Sequence, residues 1–294
     1  MNPREFFIDA AAYGLPTRDE LVAYRIWDNH FHGFASPQPI EQYERNNYYV
    51  ERMGIEMSVA QEIGGTLIEP FAPYPHDAEI LRILERDKDR LCGRTPIDPS
   101  FPDESCAKIE KWIRNGPCIA IKYPGGAKKG VRCSHPNNDP IMRLAAELQV
   151  HVYIHTWLQV GGTPRRPGGA NGESEATPMD LVKLAQRFPQ VQFICGHTGG
   201  DWELGIRTVR PYKNILVEYS GSDPHSGMVE YGIKELGEDR LVFGGHGPSR
   251  SYATEMGKVL DADITRAQRM KVFGGNLRRI SAVAFRRKGR KIEV

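Results

Sequence analysis

Apolar and polar positions follow two alternating patterns along this chain. Short runs rich in β-branched and aromatic residues have the composition of buried strands, and the stretches between them space their apolar residues as amphipathic helices do. The strand-like runs centre on Trp27, Val59, Gly93, Ile119, Tyr153, Phe193, Val217 and Phe243. The helical stretches cover residues 41–52, 77–88, 104–114, 139–148, 179–188, 201–209 and 228–236. This repeated alternation predicts a parallel β-sheet.

The number and spacing of these units favour a closed barrel. Eight strands at roughly thirty residues per unit match a (β/α)8 TIM barrel better than an open, doubly wound sheet. The first strand is not followed by the Gly-x-Gly-x-x-Gly pattern of a dinucleotide-binding fold. No linker divides the chain, so we predict a single domain over residues 1–294.

Composition and charge argue against several classes of function. Lysine and arginine total 39 against 37 acidic residues, and the net charge of +2 gives no reason to expect nucleic-acid binding. The longest apolar runs are strand-sized, so no membrane span is predicted, and the first residues lack the features of a signal peptide. Five scattered cysteines without a Cys-x-x-Cys pair indicate reduced thiols. We therefore expect a cytoplasmic protein with a small-molecule substrate, and the sequence leaves a homo-oligomer open.

Histidine recurs where the strand-like runs end. His30 and His32 close the first run, His155 the fifth, His197 the sixth and His246 the eighth. Successive side chains of a strand alternate between its faces, so His30 and His32 point the same way and can chelate one ion. The carboxyl ends of barrel strands meet at one face, and neutral imidazole binds zinc and other divalent transition metals. The pattern predicts a catalytic metal site at that face.

The same segments resemble motifs of the amidohydrolase superfamily. The first strand reads Asp-x-His-x-His, the fifth leads into His-x-Trp, the sixth into Gly-His-x-Gly-Gly, and the eighth into Phe-Gly-x-x-x-Pro. These motifs occur in the family's order between Trp27 and Leu277. They are most similar to the single-metal branch, which holds decarboxylases of the aminocarboxymuconate-semialdehyde type, lactonases and other metal-dependent hydrolases.

The resemblance implies a role for each histidine. His30, His32 and His155 would bind one divalent metal, and His197 would be the catalytic histidine that orients or deprotonates the metal's water. Zinc is the expected metal, with manganese, iron or cobalt as alternatives. The eighth strand departs from the family pattern, because His246 stands where the family has an aspartate. An imidazole is neutral, so it would leave more positive charge on the metal than a carboxylate does.

His246 can be interpreted in two ways. It can complete the ligand set, in which case another group accepts the proton of the water. Alternatively it stays off the metal and is itself the catalytic base. Asp223 and His225, after the seventh strand, are spare candidates for the base. Asp28 is expected to support the ligands through hydrogen bonds rather than to touch the metal.

Three further side chains are candidates for substrate binding. Lys122 ends the fourth strand and can attract an anionic substrate, and Trp157 is expected to form a wall of the pocket. Arg165 belongs to the irregular segment 161–177, which a barrel would place on the catalytic face. A guanidinium there can bind a carboxylate through two parallel hydrogen bonds.

The expected activity is hydrolysis of an ester, lactone or amide bond in a small molecule by a metal-activated water. Two alternatives stay open. One is a non-oxidative decarboxylase or other lyase, in which a histidine protonates a carbon of a carboxylate substrate. The other is a metal-binding homologue without hydrolase activity, for which the aspartate-to-histidine departure at His246 is the sole support. The fold cannot choose between these reactions, because one barrel hosts many chemistries.

Overall fold

The chain folds into a barrel of eight parallel strands, as the alternation predicts. The computed structural model describes residues 16–67, 69–72, 75–158, 171–221 and 226–294. The strands of this part are β1 (Ile26–Phe31), β2 (Ile55–Ala60), β3 (Leu91–Pro96), β4 (Cys118–Tyr123), β5 (Val152–His155), β6 (Phe193–Gly196), β7 (Ile215–Glu218) and β8 (Leu241–Val242). Parallel ladders join neighbours in chain order from β1 to β8. The predicted (β/α)8 TIM barrel is confirmed.

Helices alternate with the strands and follow the predicted stretches closely. The α-helices within the described ranges are α1 (Arg18–Ala23), α2 (Pro39–Arg52), α3 (Asp77–Arg86), α4 (Pro102–Ile109), α5 (Asp139–Leu148), α6 (Pro178–Arg187), α7 (Trp202–Val209), α8 (Met228–Leu236), α9 (Tyr252–Leu260), α10 (Arg266–Met270) and α11 (Asn276–Arg287). Shorter π or 3-10 turns cover Glu110–Arg114, Pro136–Asn138, His197–Gly199, Glu238–Arg240 and Lys271–Gly275. Among the described helices, none has the length and apolar character needed to cross a membrane.

Threonine caps fix the starts of several helices. α6 begins after Thr177, whose hydroxyl accepts a hydrogen bond from the Asp180 N–H while the Asp180 carboxylate accepts one from the Thr177 N–H. Thr17 and Thr265 form the same reciprocal cap at the starts of α1 and α10. Each cap satisfies N–H groups that no helical carbonyl reaches, a contribution of about 1 kcal/mol. The cap of α6 therefore fixes the residue at which this helix begins.

Ionisable side chains are buried in the barrel strands beside an otherwise apolar core. Every residue of β1, β3 and β4 is buried, although these strands include Asp28, Arg94 and Lys122. One continuous apolar cluster stabilises the fold, at about 1.5–3 kcal/mol for each large side chain removed from water. Burying an ionisable group costs free energy unless the group is paired, so the partners of these three side chains decide what each costs the fold.

The first and last strands meet through two backbone hydrogen bonds, which we call the β8–β1 seam. The Asn29 N–H donates to the Phe243 carbonyl oxygen at 3.0 Å, and the His32 N–H donates to the Gly247 carbonyl oxygen at 2.8 Å. Both strand ends carry histidines that the sequence singles out. The seam therefore brings residues from the two ends of the sheet to one place.

Candidate metal centre

His30 lies in a buried group of polar side chains at the end of β1. Its Nδ1 is 2.8 Å from the Tyr153 hydroxyl and 3.1 Å from the Ser220 hydroxyl. The Tyr153 hydroxyl also lies 2.8 Å from the Glu218 carboxylate. A carboxylate only accepts, so Tyr153 donates to Glu218 and its oxygen accepts from the His30 Nδ1–H. The His30 Nε2 therefore carries no proton and is available to a metal.

His32 lies beside His30, as the alternation of β1 predicts. The two Nε2 atoms are 2.9 Å apart. The Nδ1 of His32 is hydrogen-bonded to the carboxylate of Glu62, which lies just beyond β2. Each of the paired histidines thus has a buried carboxylate on the Nδ1 side of its ring.

Asp28 holds the backbone at the base of this pair. Its carboxylate accepts hydrogen bonds from the His30 N–H at 2.8 Å and from the Gly245 N–H, across the β8–β1 seam, at 2.6 Å. Burial raises the pKa of Asp28 to about 6. These hydrogen bonds are of the supporting kind that the sequence indicates for Asp28.

His246 presents an unprotonated nitrogen to the same place. Its Nδ1 is 2.5 Å from the Ser249 Oγ, and the Ser249 hydroxyl donates to the His246 carbonyl oxygen at 2.9 Å. The serine oxygen must then accept from the Nδ1–H, which leaves Nε2 without a proton. The His246 ring stacks on His30 with centroids 4.3 Å apart. Burial, followed by the neighbouring His197, lowers the pKa of His246 to about 2.

His197 and His155 form a hydrogen-bonded pair next to this cluster. His197 has a left-handed backbone with φ of 57°, which non-glycine residues rarely adopt. Its Nδ1–H donates to the Ser220 carbonyl oxygen at 2.6 Å, and its Nε2 accepts from the His155 Nδ1–H at 3.0 Å. Burial lowers the pKa of His197 to about 4 and that of His155 well below its ordinary value. Both rings are therefore neutral at neutral pH.

Two sets of side chains in the described ranges place potential ligand atoms within 4.8 Å of one another. His30, His32 and His246 form one set, and His30, His197 and Glu218 form the other. The first set offers nitrogen atoms alone, a donor chemistry that suits zinc or another transition ion better than magnesium or calcium. These residues therefore fit a divalent metal. His155 belongs to neither set, and the ligand role expected for it stays a prediction.

Two glycines make room for the groups behind His30. A Cβ on Gly196 would collide with the Tyr153 hydroxyl, and one on Gly244 would collide with the Glu218 carboxylate. Both glycines belong to the Gly-His and Gly-Gly-His segments that the sequence singles out. They are needed because any side chain would displace the tyrosine or the carboxylate from His30.

Lys122 places a positive charge near the histidines. It is 1% exposed, and its ammonium lies 3.9 Å from the centre of the Tyr153 ring. Across the described part of the chain, the Lys122 ammonium has no hydrogen-bond acceptor. Burial, followed by repulsion from Arg94, lowers the pKa of Lys122 to about 7. Arg94 itself is tied to Asn29 and His151 by hydrogen bonds of 2.6 and 2.8 Å.

Trp157 is the second predicted substrate-binding residue that the structure describes. Its ring is 5.8 Å from the His197 ring at an angle of 70°, so it lies against the histidine cluster. Arg165, the third candidate, lies outside the described residues, as do Asp223 and His225.

A cavity of about 370 Å³ lies beside the loop that follows β4. Gly125 in its wall lies so close to His155 that an added Cβ would come within 2.9 Å of the imidazole. The lining of the cavity includes Leu67, Asp98, Gly125, Lys128 and Ser174.

Two carboxylates of the site, Glu62 and Glu218, were missed by the sequence analysis. Glu218 ends the apolar segment Ile-Leu-Val-Glu, and a charged residue in such a strand was a usable signal. Glu62 follows β2 by two positions in an ordinary polar turn, and no feature of the sequence distinguishes it.

Comparisons with known proteins agree with this architecture. The sequence pattern of the amidohydrolase family matches residues 27–280. No curated protein matches the chain.

Several solved structures have a similar fold. A 5-carboxyvanillate decarboxylase from Novosphingobium aromaticivorans, complexed with manganese and 4-hydroxy-3-methoxy-5-nitrobenzoic acid, is 19% identical over 83% of each chain, with a TM-score of 0.62. A 2,6-dihydroxybenzoate decarboxylase from Rhizobium is 15% identical over 87% of this chain and 97% of its own, with a TM-score of 0.64. A 4-oxalomesaconate hydratase from Rhodopseudomonas palustris is 15% identical over 90% of this chain and 98% of its own, with a TM-score of 0.62. At these identities the likeness shows a shared fold.

Proposed function

This chain belongs to the amidohydrolase family, and we propose that it is a metal-dependent lyase that releases carbon dioxide from a small carboxylic acid. The observation that carries the proposal is the buried Lys122 ammonium, which has no hydrogen-bond acceptor among the described residues and lies beside neutral histidines. The similar structures add support, since two of them are decarboxylases of 5-carboxyvanillate and 2,6-dihydroxybenzoate.

The metal in this proposal is held by His30, His32 and His246, with His155 as the further ligand expected from the sequence. Their nitrogen donors favour zinc. Manganese is the main alternative, because the similar decarboxylase from Novosphingobium was complexed with it. When bound, a divalent metal polarises an oxygen of the substrate and draws electron density away from the carbon that loses carbon dioxide.

Lys122 binds the carboxylate of the substrate. An ammonium that is buried without a hydrogen-bond acceptor costs several kcal/mol, and an arriving carboxylate offsets much of that cost. Trp157, against the His197 ring, offers an apolar surface to the body of the substrate. The two side chains together select a small acid with an apolar or aromatic body.

His197 delivers the proton that the reaction requires. The carbon–carbon bond to the carboxylate breaks, its electron pair stays on the carbon, and a proton takes the place of carbon dioxide. The Nδ1–H of His197 is fixed on the Ser220 carbonyl oxygen, and its Nε2 shares a hydrogen bond with the His155 Nδ1–H. A neutral His197 carries no proton on Nε2, so in this proposal its Nε2 takes up one proton from the solvent and gives it to the carbon, which balances the reaction.

Hydrolysis of an ester, lactone or amide has less support from this site. It requires a group that accepts a proton from the attacking water. At the end of β8 the chain offers His246, whose unprotonated nitrogen belongs to the candidate ligand set, instead of a carboxylate. The non-catalytic alternative predicts metal binding without turnover.

The test is a turnover assay on the full chain loaded with zinc or manganese. Substituted benzoic acids are assayed for carbon dioxide release, and esters, lactones and amides are assayed in parallel for hydrolysis. We expect carbon dioxide from at least one acid. Lys122→Met should lower kcat/KM by about 30-fold or more through loss of the charge pair, while Lys183→Met, on the exposed side of α6, should not change it. Hydrolysis without carbon dioxide release, or no turnover at all, would overturn the proposal.

A further inference from the structure

We propose that Glu62 is the positioning residue that prepares His32 for the metal and supplies negative charge that the histidine ligands lack. The inference rests on the metal site proposed above. Its basis is the hydrogen bond between the His32 Nδ1 and the Glu62 carboxylate.

Three carboxylates reach the histidine cluster, and Glu62 is the least committed of them. Asp28 accepts two backbone N–H groups. Glu218 accepts two backbone N–H groups and a tyrosine hydroxyl. Glu62 bonds to His32 through one oxygen, and its other oxygen is buried without a hydrogen-bond partner among the described residues. Its hydrogen bond is therefore to His32, and its negative charge also acts on Lys122.

The backbone on both sides of Glu62 is held in place. The Gln61 N–H donates to the Phe31 carbonyl oxygen at 3.1 Å, and the Ile63 N–H donates to the Arg94 carbonyl oxygen at 3.0 Å. These bonds attach the turn after β2 to the neighbouring strands β1 and β3. Glu62 can therefore fix the orientation of the His32 ring instead of following it.

The hydrogen bond also decides which nitrogen of His32 carries the proton. A carboxylate accepts, so the proton is on Nδ1 and Nε2 is free. The Nε2 of His30 is also free, because its Nδ1–H is given to Tyr153. Two unprotonated nitrogens 2.9 Å apart repel each other, and a cation that both can bind removes the repulsion. Glu62 thereby prepares the pair for a cation and offsets part of a divalent charge.

The experiment measures zinc affinity and the proton position of His32 in the full chain. Zinc is titrated against a chelator of known affinity, and the ring nitrogens of metal-free, histidine-labelled protein are observed by ¹⁵N NMR. Two variants separate charge from hydrogen bonding: Glu62→Gln keeps an acceptor without the charge, and Glu62→Ala removes both. Glu79→Gln is the matched control, because Glu79 also bonds to a histidine Nδ1, that of His76, at 2.8 Å, but on α3 away from the cluster.

We expect Glu62→Gln to weaken zinc binding about tenfold and Glu62→Ala about 100-fold, while the Glu79 variant binds as the wild type does. The NMR spectra should place the His32 proton on Nδ1 in the wild type and move it toward Nε2 in Glu62→Ala. Three results would each overturn the inference. The first is that both Glu62 variants bind zinc within about twofold of the wild type. The others are that the wild-type His32 carries its proton on Nε2, or that the wild type binds no zinc. A protein that meets these expectations but releases no carbon dioxide from any acid leaves the inference standing and overturns the lyase proposal alone.

Discussion

Replacing Lys122 by methionine should make the folded protein more stable while it removes substrate binding. Lys122 is 1% exposed, and burial is the main cause that lowers its pKa from 10.5 to about 7. In the unfolded chain the same amine keeps its ordinary pKa. Folding at neutral pH must therefore remove either water or the proton from this group, and both are unfavourable.

The size of the effect follows from the two pKa values. A pKa lowered from 10.5 to about 7 corresponds to about 5 kcal/mol against folding at about pH 7 or below. Methionine is similar in length and uncharged, but it loses the contact of the ammonium with the Tyr153 ring, worth about 0.5–2 kcal/mol. We expect Lys122→Met to raise the free energy of unfolding by about 3 kcal/mol at about pH 7. The gain shrinks as pH rises, because the unfolded lysine then loses its proton too.

Urea unfolding of the metal-free wild type and variant measures this difference. The expected gain is about 3 kcal/mol near pH 7 and less than about 1.5 kcal/mol near pH 9.5. The free energy of unfolding of Lys183→Met, on the exposed side of α6, should stay within about 0.5 kcal/mol of the wild-type value at both pH values. If Lys122→Met is no more stable than the wild type near pH 7, or if its gain in stability does not shrink as pH rises, other groups of the protein already compensate the positive charge of Lys122. Lys122 would then not need an anionic substrate as its partner.

Three other predictions test the metal, the proton balance and the packing. The purified wild type should hold about one zinc or manganese ion per chain. The variants His30→Ala and His32→Ala should lose the ion while their circular dichroism spectra stay unchanged. Elemental analysis that finds full metal in either variant would contradict this prediction. The kcat/KM of the metal-loaded enzyme should fall above about pH 7, because Lys122, with a pKa of about 7, loses the proton that binds the carboxylate. A kcat/KM that stays constant up to about pH 9 would argue against this role of Lys122. Gly196→Ala should lower the free energy of unfolding by about 1–3 kcal/mol, because its Cβ collides with the buried Tyr153. Gly257→Ala is the control and should not lower it, because a Cβ there meets nothing within 4 Å. Equal melting temperatures of the Gly196→Ala variant and the wild type would refute the packing argument.

The barrel was predictable because each strand and helix has its own local signal. The predicted stretches 139–148 and 228–236 coincide with α5 and α8 in the structure. The run centred on Phe243 was placed slightly late, because β8 ends at Val242 where the following glycines leave the sheet. The sequence analysis proposed no helix beyond Phe243 and so missed α9, α10 and α11. In α11, arginines obscure the apolar face.

The convergence of the histidines was predictable as well, but their hydrogen bonds were not. Parallel strands end on one face of a barrel, so residues at strand ends meet there whatever their separation in sequence. The contacts of His30 with Tyr153 and Glu218 depend on side-chain rotamers and on glycines at the strands next to those of Tyr153 and Glu218, and no local pattern encodes them. The same holds for His155, whose expected ligand position gives no hint of its hydrogen bond to His197.

The β8–β1 seam gives the proposed metal a mechanical role in addition to its chemical one. Asp28 and Gly245, which bond across it, are 217 positions apart in the chain. A single ion shared by His30, His32 and His246 would crosslink the first and last strands and so close a loop that spans most of the protein. Such a crosslink restricts the unfolded chain and favours the closed barrel. The backbone hydrogen bonds of the seam hold the barrel closed without the ion. Removing the ion would therefore lower the stability of this closure, at the point where substrate binds, without unfolding the chain.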